Sequence, residues 1–583
     1  MPRRPVTATL NVWAPDAASV DLVLMSGLVA MAPAEGGWWA STAPVPAGTD
    51  YRFSVDGGDP VPDPRSPWQP AGVQGPSRVL DHGTFPWTDG GWQAPPLASA
   101  VIYELHVGTF TAEGTFEGAL ARLDHLRELG VTHVEIMPVN EFPGTRGWGY
   151  DGVDLFAPHH AYGGPDGLKR LVDACHARGL ALLIDVVYNH LGPTGNYLAG
   201  FGPYFTSRYA TPWGDAVNLD GPRSDGVRRF ICDNALMWLR EYHADGLRLD
   251  AVHALIDTSA LHILEQLAAE VDALEATLGR HLVLVAESDL NDPRVVRGRE
   301  SGGHGIDAQW SDDFHHALHV ALTGERRGYY EDFESLRHLA EALERTFVYR
   351  GAYSAHRKRA HGRSPDGLPA ARFVHCMQNH DQIGNRARGE RSSHLMSVGR
   401  LKIAAALVLL PPYVPLLFQG EEWGATAPFQ YFTQHEDADL GRAVSEGRRR
   451  EFAPFGWRAD DVPDPQSEET FLRSRLDWTE IEREPHASLL AWHRKLIALR
   501  RRGAGGAAGA RPRARYDDKA GWLVVKFGDH TLACNLGPRA QHVPLDAGGI
   551  DIVVASEDGV RVAGDGVEMP SDSVAILTRA PSR

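Results

Sequence analysis

In GLRLDAVHA, residues 246–254, a short apolar run ends on a carboxylate, Asp250. HLVLVAE ends in the same way on Glu287, and RFVHCMQNHD ends on Asp381. Buried strands rarely end on unpaired carboxylates, since removing a charge from water is expensive. Three such ends therefore predict carboxyl groups that converge on one pocket.

Eight apolar, strand-like runs occur between residues 101 and 422, and helical patterns separate most of them. The runs are VIYELHV (101–107), VTHVEIMPV (131–139), LALLIDVVYN (180–189), DGLRLDAV (245–252), HLVLVAES (281–288), GIDAQWS (305–311), RFVHCMQNHD (372–381) and YVPLLFQGEE (413–422). Near-continuous apolar strands covered by helices imply a parallel sheet, and eight repeats predict a (β/α)₈ TIM barrel of the α/β class. The active site of such a barrel lies at the carboxyl ends of its strands, where these acidic residues stand.

The segments between the strands contain amphipathic helices and two irregular insertions. Two segments have apolar residues at helical spacing: Phe116, Leu120, Leu123 and Leu126 in one, and Val227, Ile231, Ala235 and Trp238 in the other. Residues 191–226 are rich in Gly, Pro and aromatic residues and are too long for an ordinary connection, so they predict a loop subdomain over the pocket. Residues 424–478 form a second, polar insertion.

All-β patterns flank the barrel on both sides. Residues 1–92 contain short alternating runs such as TLNVWAP and YRFSVDG between Pro, Gly and Asp turns, a pattern typical of a β-sandwich. The barrel is expected to span 93–505. After the Gly/Ala/Arg-rich stretch RRGAGGAAGARPRAR, the runs GWLVVKF and HTLACNL predict a C-terminal β-sandwich over 506–583.

Composition excludes several classes of function. The chain of 583 residues is 43% hydrophobic and 23% charged, with a formal net charge of −17. This charge argues against a nucleic-acid partner, which requires a basic surface. The N-terminus has no apolar signal region, and prolines interrupt the most apolar stretch, AAALVLLPPYVPLLF, so no membrane partner is expected. The four cysteines are far apart without metal-ligand spacing, which is typical of reduced thiols in a cytoplasmic protein.

Carboxyl groups that converge on one pocket without a metal are typical of enzymes that cleave glycosidic bonds. A retaining glycosidase needs an ionised nucleophile and a protonated acid roughly 5–5.5 Å away. Arg248 precedes Asp250 by two residues on the same strand face and pairs with it, which favours Asp250 as the nucleophile. Glu287 has no cation near it in sequence and is the predicted acid/base. Asp381 is expected to support the transition state, and Asp185 to brace the site.

Each of these residues also has a structural interpretation. An Asp after a strand is commonly a helix N-cap, and a lone Glu is commonly an exposed charge. Arg248 and Asp250 together are also compatible with a structural ion pair. Taken singly, His190, His253 and His380 are compatible with hydrogen-bonded core or loop histidines. The joint occurrence of the acidic residues at successive strand ends favours the catalytic interpretation.

Four motifs in this order resemble the signature regions of the α-amylase family of glycoside hydrolases and transglycosidases. They are DVVYNH (185–190), GLRLDAVHA (246–254), AESD (286–289) and QNHDQIGN (378–385). The resemblance implies Asp250 as nucleophile, Glu287 as acid/base and Asp381 as transition-state stabiliser. It further implies that Tyr150 of WGYDGV stacks on the sugar being cleaved. The other substrate-binding residues predicted from these motifs are His190, Arg248, His253, His380, Gln382 and Asn385.

Longer blocks are similar to the trehalose-releasing branch of this family, and VWAPDAASVDLVL resembles the N-terminal module of glycogen branching and debranching enzymes. The blocks include WGYDGVDLFAPHHAYGGPDGLKRLVD, QWSDDFHHALH and PLLFQGEEWGATAPFQYFTQH. The branch hydrolyses the α-1,4 bond between a terminal trehalose unit and a maltooligosaccharide. By this resemblance Asp312, Asp313 and His315 contact the leaving glucoses, although DDFHH is also compatible with a helix start.

The resemblance implies maltooligosyltrehalose and trehalose as ligands, a functional pairing with the enzyme that forms this substrate, and no cofactor. Calcium is common among amylases, and Asn189 stands where some supply a ligand. Here the turn after Asp250 reads Ala-Val-His and offers no clear oxygen cage, so no metal is expected.

Two rival functions are compatible with the same motifs. A branching enzyme carries the same triad but resolves the glycosyl-enzyme with a glucan hydroxyl; the DDFHH and FTQH blocks favour water instead. A non-catalytic glucan-binding protein built on an inactive barrel is the second rival. Intact Asp250, Glu287 and Asp381 argue against it.

Overall fold

The computed structural model describes residues 7–452, 457–458, 461–504, 511–545 and 550–579. The first six residues of the predicted N-terminal sandwich therefore lie outside the described residues. So do parts of the stretch RRGAGGAAGARPRAR, of the second insertion and of the C-terminal domain.

Eight parallel strands close into the predicted barrel, and each is paired with its neighbours in chain order. The strands are β1 (Ile102–Leu105), β2 (His133–Ile136), β3 (Ala181–Val186), β4 (Gly246–Leu249), β5 (Val283–Ala286), β6 (Ala308–Trp310), β7 (Phe373–Cys376) and β8 (Val414–Phe418). Every one of the eight predicted runs supplies one strand. The (β/α)₈ prediction is confirmed.

Alternation along the strands separates two apolar layers. Leu182 and Ile184 of β3 belong to the large core that packs against the helices, whereas Leu183 belongs to a smaller core with residues such as Val285 and Trp310. Since side chains alternate between the faces of a strand, Asp185 lies on the same side as Leu183, inside the barrel. The pleat thus directs a charged residue at the end of a strand into the barrel mouth.

Helices of the expected lengths cover the outside of the barrel. They include α1 (Gly164–Ala177), α2 (Ser224–Glu241), α3 (Ile263–Leu278), α4 (Asp312–Thr323), α5 (Ser335–Arg345), α6 (Val398–Leu409) and α7 (His486–Leu499). All four apolar residues predicted for one face of α2 are buried.

Three connections differ from the simple alternation. The apolar pattern beginning at Phe116 forms two short helices, Phe116–Leu120 and Leu123–Leu129, because Arg122 between them leaves the helical conformation. The second insertion contains a helix, Ala438–Phe452, which the polar sequence did not indicate. The first insertion contains an antiparallel hairpin, Phe205–Thr211 with Gly214–Val217.

Antiparallel sheets precede and follow the barrel. The N-terminal part has a four-stranded sheet (Val20–Leu24, Gly27–Ala30, Asp50–Val55, Ser77–Arg78) and a three-stranded sheet (Asn11–Trp13, Ala32–Pro33, Trp38–Ala40). The C-terminal part has a five-stranded sheet (Arg513–Asp517, Trp522–Phe527, His530–Asn535, Ile550–Ala555, Ser573–Arg579) and a three-stranded one (Gln541–Pro544, Arg561–Ala563, Gly566–Met569). The boundaries at 92/93 and 505/506 stay predictions.

A network of histidines and aspartates fastens the linker between the N-terminal sheets and the barrel. Asp89 accepts hydrogen bonds at 2.8 Å from both His176 and His243. Trp92 stacks on His176, and its Nε1–H donates to Asp245 at 2.8 Å. Because one linker carboxylate is shared by two histidines of the barrel, the linker has a defined position.

Within the described ranges, no helix is both long and apolar enough to span a bilayer. All four cysteines are buried and unpaired, as predicted.

Candidate active site

One guanidinium joins three carboxylates at the carboxyl-terminal mouth of the barrel. Arg248 Nη1 donates to both oxygens of Asp185 at 2.9 Å and to Asp250 Oδ1 at 2.8 Å. Its Nη2 lies 3.0 Å from Glu287 Oε2. The side chain of Arg248 has no exposed surface, so these are charge-assisted contacts of low solvent screening. The predicted pairing of Arg248 with Asp250 is confirmed.

This geometry limits the separation of Asp250 and Glu287. The two terminal nitrogens of a planar guanidinium are about 2.3 Å apart, so oxygens of the two carboxyl groups are at most about 8 Å apart. Both groups therefore lie within reach of one anomeric carbon. The side chains are only 10% and 16% exposed, which keeps them accessible from one side of a largely dry site.

Glu287 has the environment of a general acid. Burial raises the pKa of its carboxyl group, and the charge of Asp250 acts in the same direction. Arg248 and the backbone N–H of Ala251, which donates to Oε2 at 2.7 Å, limit this rise. Since both donors bind Oε2, Oε1 is the oxygen that the described residues leave available to carry the proton.

Tyr150 and His380 link the carboxylates to the barrel interior. Tyr150 donates its phenolic proton to Asp185 Oδ2 at 2.6 Å and accepts from His380 Nε2 at 2.7 Å. The other ring nitrogen of His380 lies 2.5 Å from Glu104 Oε1 in β1. Although burial lowers it, the charges of Glu104 and Asp381 raise the pKa of His380 to about 9. His380 is therefore an imidazolium at neutral pH, with both N–H groups engaged.

Asp381 follows β7 at the start of a short helix, His380–Gly384. The side chain of Asn379 caps this helix by accepting the Gln382 N–H at 2.9 Å, which turns Asp381 towards the mouth. Asn385 Nδ2 donates to Asp381 Oδ1 at 3.3 Å. Burial raises the pKa of Asp381, and the His380 charge opposes the rise.

Two predicted histidines lie near the mouth but outside the Arg248 network. His190 stacks on Trp213 of the first insertion, with ring centroids 4.4 Å apart and planes at 5°. Burial lowers the pKa of His190 to about 4, so its ring is neutral. His253 lies 3.9 Å from Asp289, whose second oxygen accepts from Arg357 at 2.8 Å.

Asp312 is the first residue of α4 and is close enough to sense the catalytic carboxylates. Burial raises the pKa of Asp312 well above its usual range, and the charges of Glu287, Asp289 and Asp381 add to the rise. These effects favour the protonated form of Asp312, which has a hydrogen to donate to a sugar oxygen.

Asp313 and His315 engage protein groups. Asp313 Oδ2 accepts the backbone N–H groups of residues 348 and 349 at 2.7 and 2.9 Å. His315 Nδ1 lies 2.6 Å from the Met377 carbonyl oxygen, and its Nε2 lies 3.0 Å from Tyr330 Oη. Both residues are buried and hold neighbouring loops in place.

The sequence interpretation missed two members of the site. Glu104 binds His380, and its signal is a single acidic residue inside the apolar run VIYELHV. Trp310 lies under the guanidinium of Arg248, with 4.4 Å between Cζ and the ring centroid. Trp310 ends β6 two residues beyond Ala308 and belongs to the inner apolar core, so alternation along the strand could have placed it inside the barrel.

Among the described residues, Glu141, His159 and His160 form the one group with metal-ligand proximity. His160 Nδ1 lies 2.7 Å from Glu141 Oε1 as an ion pair. His159 Nδ1 accepts the Ala161 N–H, so in the neutral ring Nε2 bears the proton and has no lone pair for a metal. The group is arranged as a structural network.

The comparisons with known proteins agree with this architecture. Residues 84–208 match the family described as alpha amylase, catalytic domain, and residues 507–576 match a domain of unknown function. Malto-oligosyltrehalose trehalohydrolase from Arthrobacter ramosus is 52% identical over 97% of this chain and 98% of its own length. The enzyme of the same name from Rhizobium sp. strain M-11 is 50% identical over 97% of both. That from Mycobacterium tuberculosis is 48% identical over 98% of this chain and 99% of its own.

Two solved structures have the same fold as this chain, and a branching enzyme is a more distant relative. A Salmonella typhimurium protein provisionally described as an alpha amylase superposes with a TM-score of 0.90 at 39% identity, covering 98% of both chains. A pullulanase from Anoxybacillus sp. LM18-11 shares the fold, with a TM-score of 0.73 at 18% identity over 99% of this chain and 86% of its own. The branching enzyme of Pseudoalteromonas atlantica is only 26% identical, over 74% of this chain and 62% of its own length. The chain therefore belongs to the α-amylase family and, within it, to the malto-oligosyltrehalose trehalohydrolases.

Proposed function

We propose that the chain hydrolyses the α-1,4 bond between a terminal trehalose unit and a maltooligosaccharide, releasing trehalose with retention at the cleaved centre. The names of full-length relatives at about 50% identity support the substrate. The main structural support for this chemistry is that the buried guanidinium of Arg248 contacts both Asp250 and Glu287.

In the first step Asp250 attacks the anomeric carbon of the glucose next to trehalose. The C–O bond to trehalose breaks, and the leaving oxygen takes the proton of Glu287. Arg248 donates to Asp250 Oδ1, so the other oxygen, Oδ2, is the one directed at the sugar. The products of this step are free trehalose and a maltooligosyl ester of Asp250.

In the second step water resolves the ester. Glu287, now a carboxylate, removes a proton from water, and the hydroxide oxygen attacks the anomeric carbon while the bond to Asp250 breaks. Burial favours the protonated form of Glu287, which returns it to the state required for the next cycle.

The glucose at the cleaved bond is proposed to lie between Tyr150 and Asp381. The rings of Tyr150 and His380 stack with centroids 5.2 Å apart and planes at 23°, and together they form one face of the proposed sugar site. The Asp381 carboxylate lies 3.6 Å from the His380 imidazolium and is proposed to accept hydrogen bonds from adjacent hydroxyls, while the charged ring contacts the sugar next to Tyr150. Such contacts shorten as positive charge develops on the sugar ring and stabilise the transition state.

The two leaving glucoses are proposed to contact the opposite side of Glu287. Asp312 and His253 are close enough to Glu287 for electrostatic interaction and are proposed to bind these sugars, together with Gln382 and Asn385. His190 is proposed to contact the cleaved glucose next to Tyr150. Asp313 and His315 are proposed to act as positioning residues, because protein groups occupy their polar atoms.

Product analysis tests this proposal against both rivals. The protein is incubated separately with maltooligosyltrehalose and with amylose, and Asp250→Asn serves as the matched inactive control. Free trehalose together with an initial α-anomer of the maltooligosaccharide, seen by proton NMR, is the expected result. New α-1,6 branches in amylose would support a branching enzyme instead, and no turnover would support a binding protein.

The substrate also implies a partner reaction. A non-reducing α,α-1,1 bond at the end of a maltooligosaccharide must be formed by a separate transglycosylation at the reducing end. We therefore propose functional pairing with an enzyme of that class, in the cytoplasm where the α-glucan is available.

A further inference from the structure

A second concavity lies at the amino-terminal mouth of the barrel, away from the carboxylates. Its volume is about 540 Å³. Residues that precede the strands line it: Val131 and Thr132 before β2, Leu180 before β3, and Pro412 before β8. Because parallel strands all point the same way, this mouth and the Asp250 site are at opposite ends of the barrel. Neither the catalytic mechanism nor the predicted sugar contacts use it.

Four arginines line this cavity, and no acidic residue among the described ones does. They are Arg127, Arg178, Arg500 and Arg501. A local excess of positive charge is unusual in a chain whose formal net charge is −17.

Two of these arginines lie at the carboxyl-terminal ends of helices. Arg127 lies in the last turn of Leu123–Leu129, and Arg178 caps α1, positions where a cation interacts favourably with the helix dipole. Both also share one carboxylate: Asp124 Oδ1 lies 3.4 Å from Arg127 Nη2 and 3.2 Å from Arg178 Nε. Their charges are thus partly balanced.

Arg500 and Arg501 lack such balance. Arg500 is 8% exposed, and it donates to the carbonyl oxygens of Leu409, Pro411 and Tyr413 at 2.9, 2.9 and 2.7 Å. Burial lowers the pKa of Arg500 to about 10, and no carboxylate opposes that change. Arg501 is exposed, and its side chain has neither an ion pair nor a hydrogen bond with any other residue that the structure describes. Of the two, Arg500 is buried, and a buried cation without a counter-charge is expensive.

We propose that this cavity binds a phosphate group, either as the free ion or as the monoester of a small metabolite. A phosphate dianion would supply the counter-charge that Arg500 and Arg501 lack, and guanidinium groups bind its oxygens in pairs. The cavity volume is within the range of small-molecule sites, roughly 300–1,000 Å³, and exceeds what the free ion fills. This inference is independent of the proposed hydrolysis.

Titration calorimetry on the full chain at constant ionic strength tests the proposal with three probes. Inorganic phosphate and glucose 6-phosphate represent the two sources, and glucose is the neutral comparison. We expect a Kd below about 1 mM for at least one phosphate probe and no heat from glucose. Tighter binding of glucose 6-phosphate identifies a monoester site, and tighter binding of inorganic phosphate identifies the free ion.

Adjacent arginines offer a matched pair of variants. Arg501→Ala removes a cation that lines the cavity, whereas Arg502→Ala removes one that does not. We expect at least a tenfold increase in Kd for the first and no change for the second, with unchanged trehalose release in both. Absence of binding by both phosphate probes up to about 10 mM, or equal effects of the two substitutions, would overturn the proposal.

Discussion

Replacing Glu287 by glutamine removes the acidic proton of the side chain and leaves its shape almost unchanged. The amide oxygen keeps the position of Oε2, where it accepts from the Ala251 N–H at 2.7 Å and faces Arg248 Nη2 at 3.0 Å. The amide nitrogen takes the position of Oε1, from which the proton is transferred. Binding of the oligosaccharide should therefore persist, while protonation of the leaving oxygen is lost.

The expected loss follows from the role of a positioned acid. Such a group contributes about 10²–10⁴-fold to the rate, or about 2.7–5.4 kcal/mol of barrier height. We therefore expect kcat/KM for maltooligosyltrehalose to fall by at least about 100-fold in Glu287→Gln, with the affinity for substrate within a few-fold of the parent. Trehalose release gives the rate, and calorimetry gives the affinity.

The pH profile distinguishes the loss of an acid from a general disturbance. Because burial raises the pKa of Glu287 and only the protonated form donates, kcat/KM of the parent should fall as the pH rises through that pKa. The variant should lack this alkaline limb. A raised carboxyl pKa contributes stability only at low pH and loses it as the pH rises, so the variant should be at least as stable at pH 7. Activity within tenfold of the parent, or a retained alkaline limb, would refute the assignment.

Three further predictions follow from individual contacts. Tyr150→Phe removes the hydroxyl between Asp185 (2.6 Å) and His380 (2.7 Å), so we expect kcat/KM to fall by about 10–100-fold; an unchanged value would show that the hydroxyl is dispensable. The raised pKa of His380 means that its stabilising contribution is fully present below about pH 6.5 and is lost as the pH rises through about 9. The difference in Tm between parent and His380→Gln should shrink over that interval, and a pH-independent difference would contradict it. Although burial raises it, hydrogen bonds from His176 and His243 lower the pKa of Asp89 to about 2. The contribution of Asp89 to the stability of the fold is therefore present above about pH 3.8 and is lost as the pH falls towards 2. Asp89→Asn should reduce the free energy of unfolding at pH 7 by about 1–3 kcal/mol in denaturant titrations, whereas Thr88→Ala, next to it in the exposed linker, should change it far less.

The barrel was predictable from sequence because its signals are local. Most of the buried strands have near-continuous apolar runs, and Asp250, Glu287 and Asp381 each stand at the end of one, so the order of strands and the approximate positions of these three residues follow without long-range information. The antiparallel flanking sheets likewise follow from alternation and turn residues. The break at Arg122 was not predictable, because the apolar spacing continues across it.

The partners within the site depend on packing across the barrel. Glu104 and His380 are 276 positions apart, and their contact requires β1 and the end of β7 to meet around a closed ring. The same applies to Asp312, whose sequence predicts a helix start, whereas its burial beside other carboxyl groups raises its pKa. Sequence determined which residue types stand at the strand ends. Only the tertiary structure decided which of them share a proton or a charge, because these interactions depend on distance and on the exclusion of water.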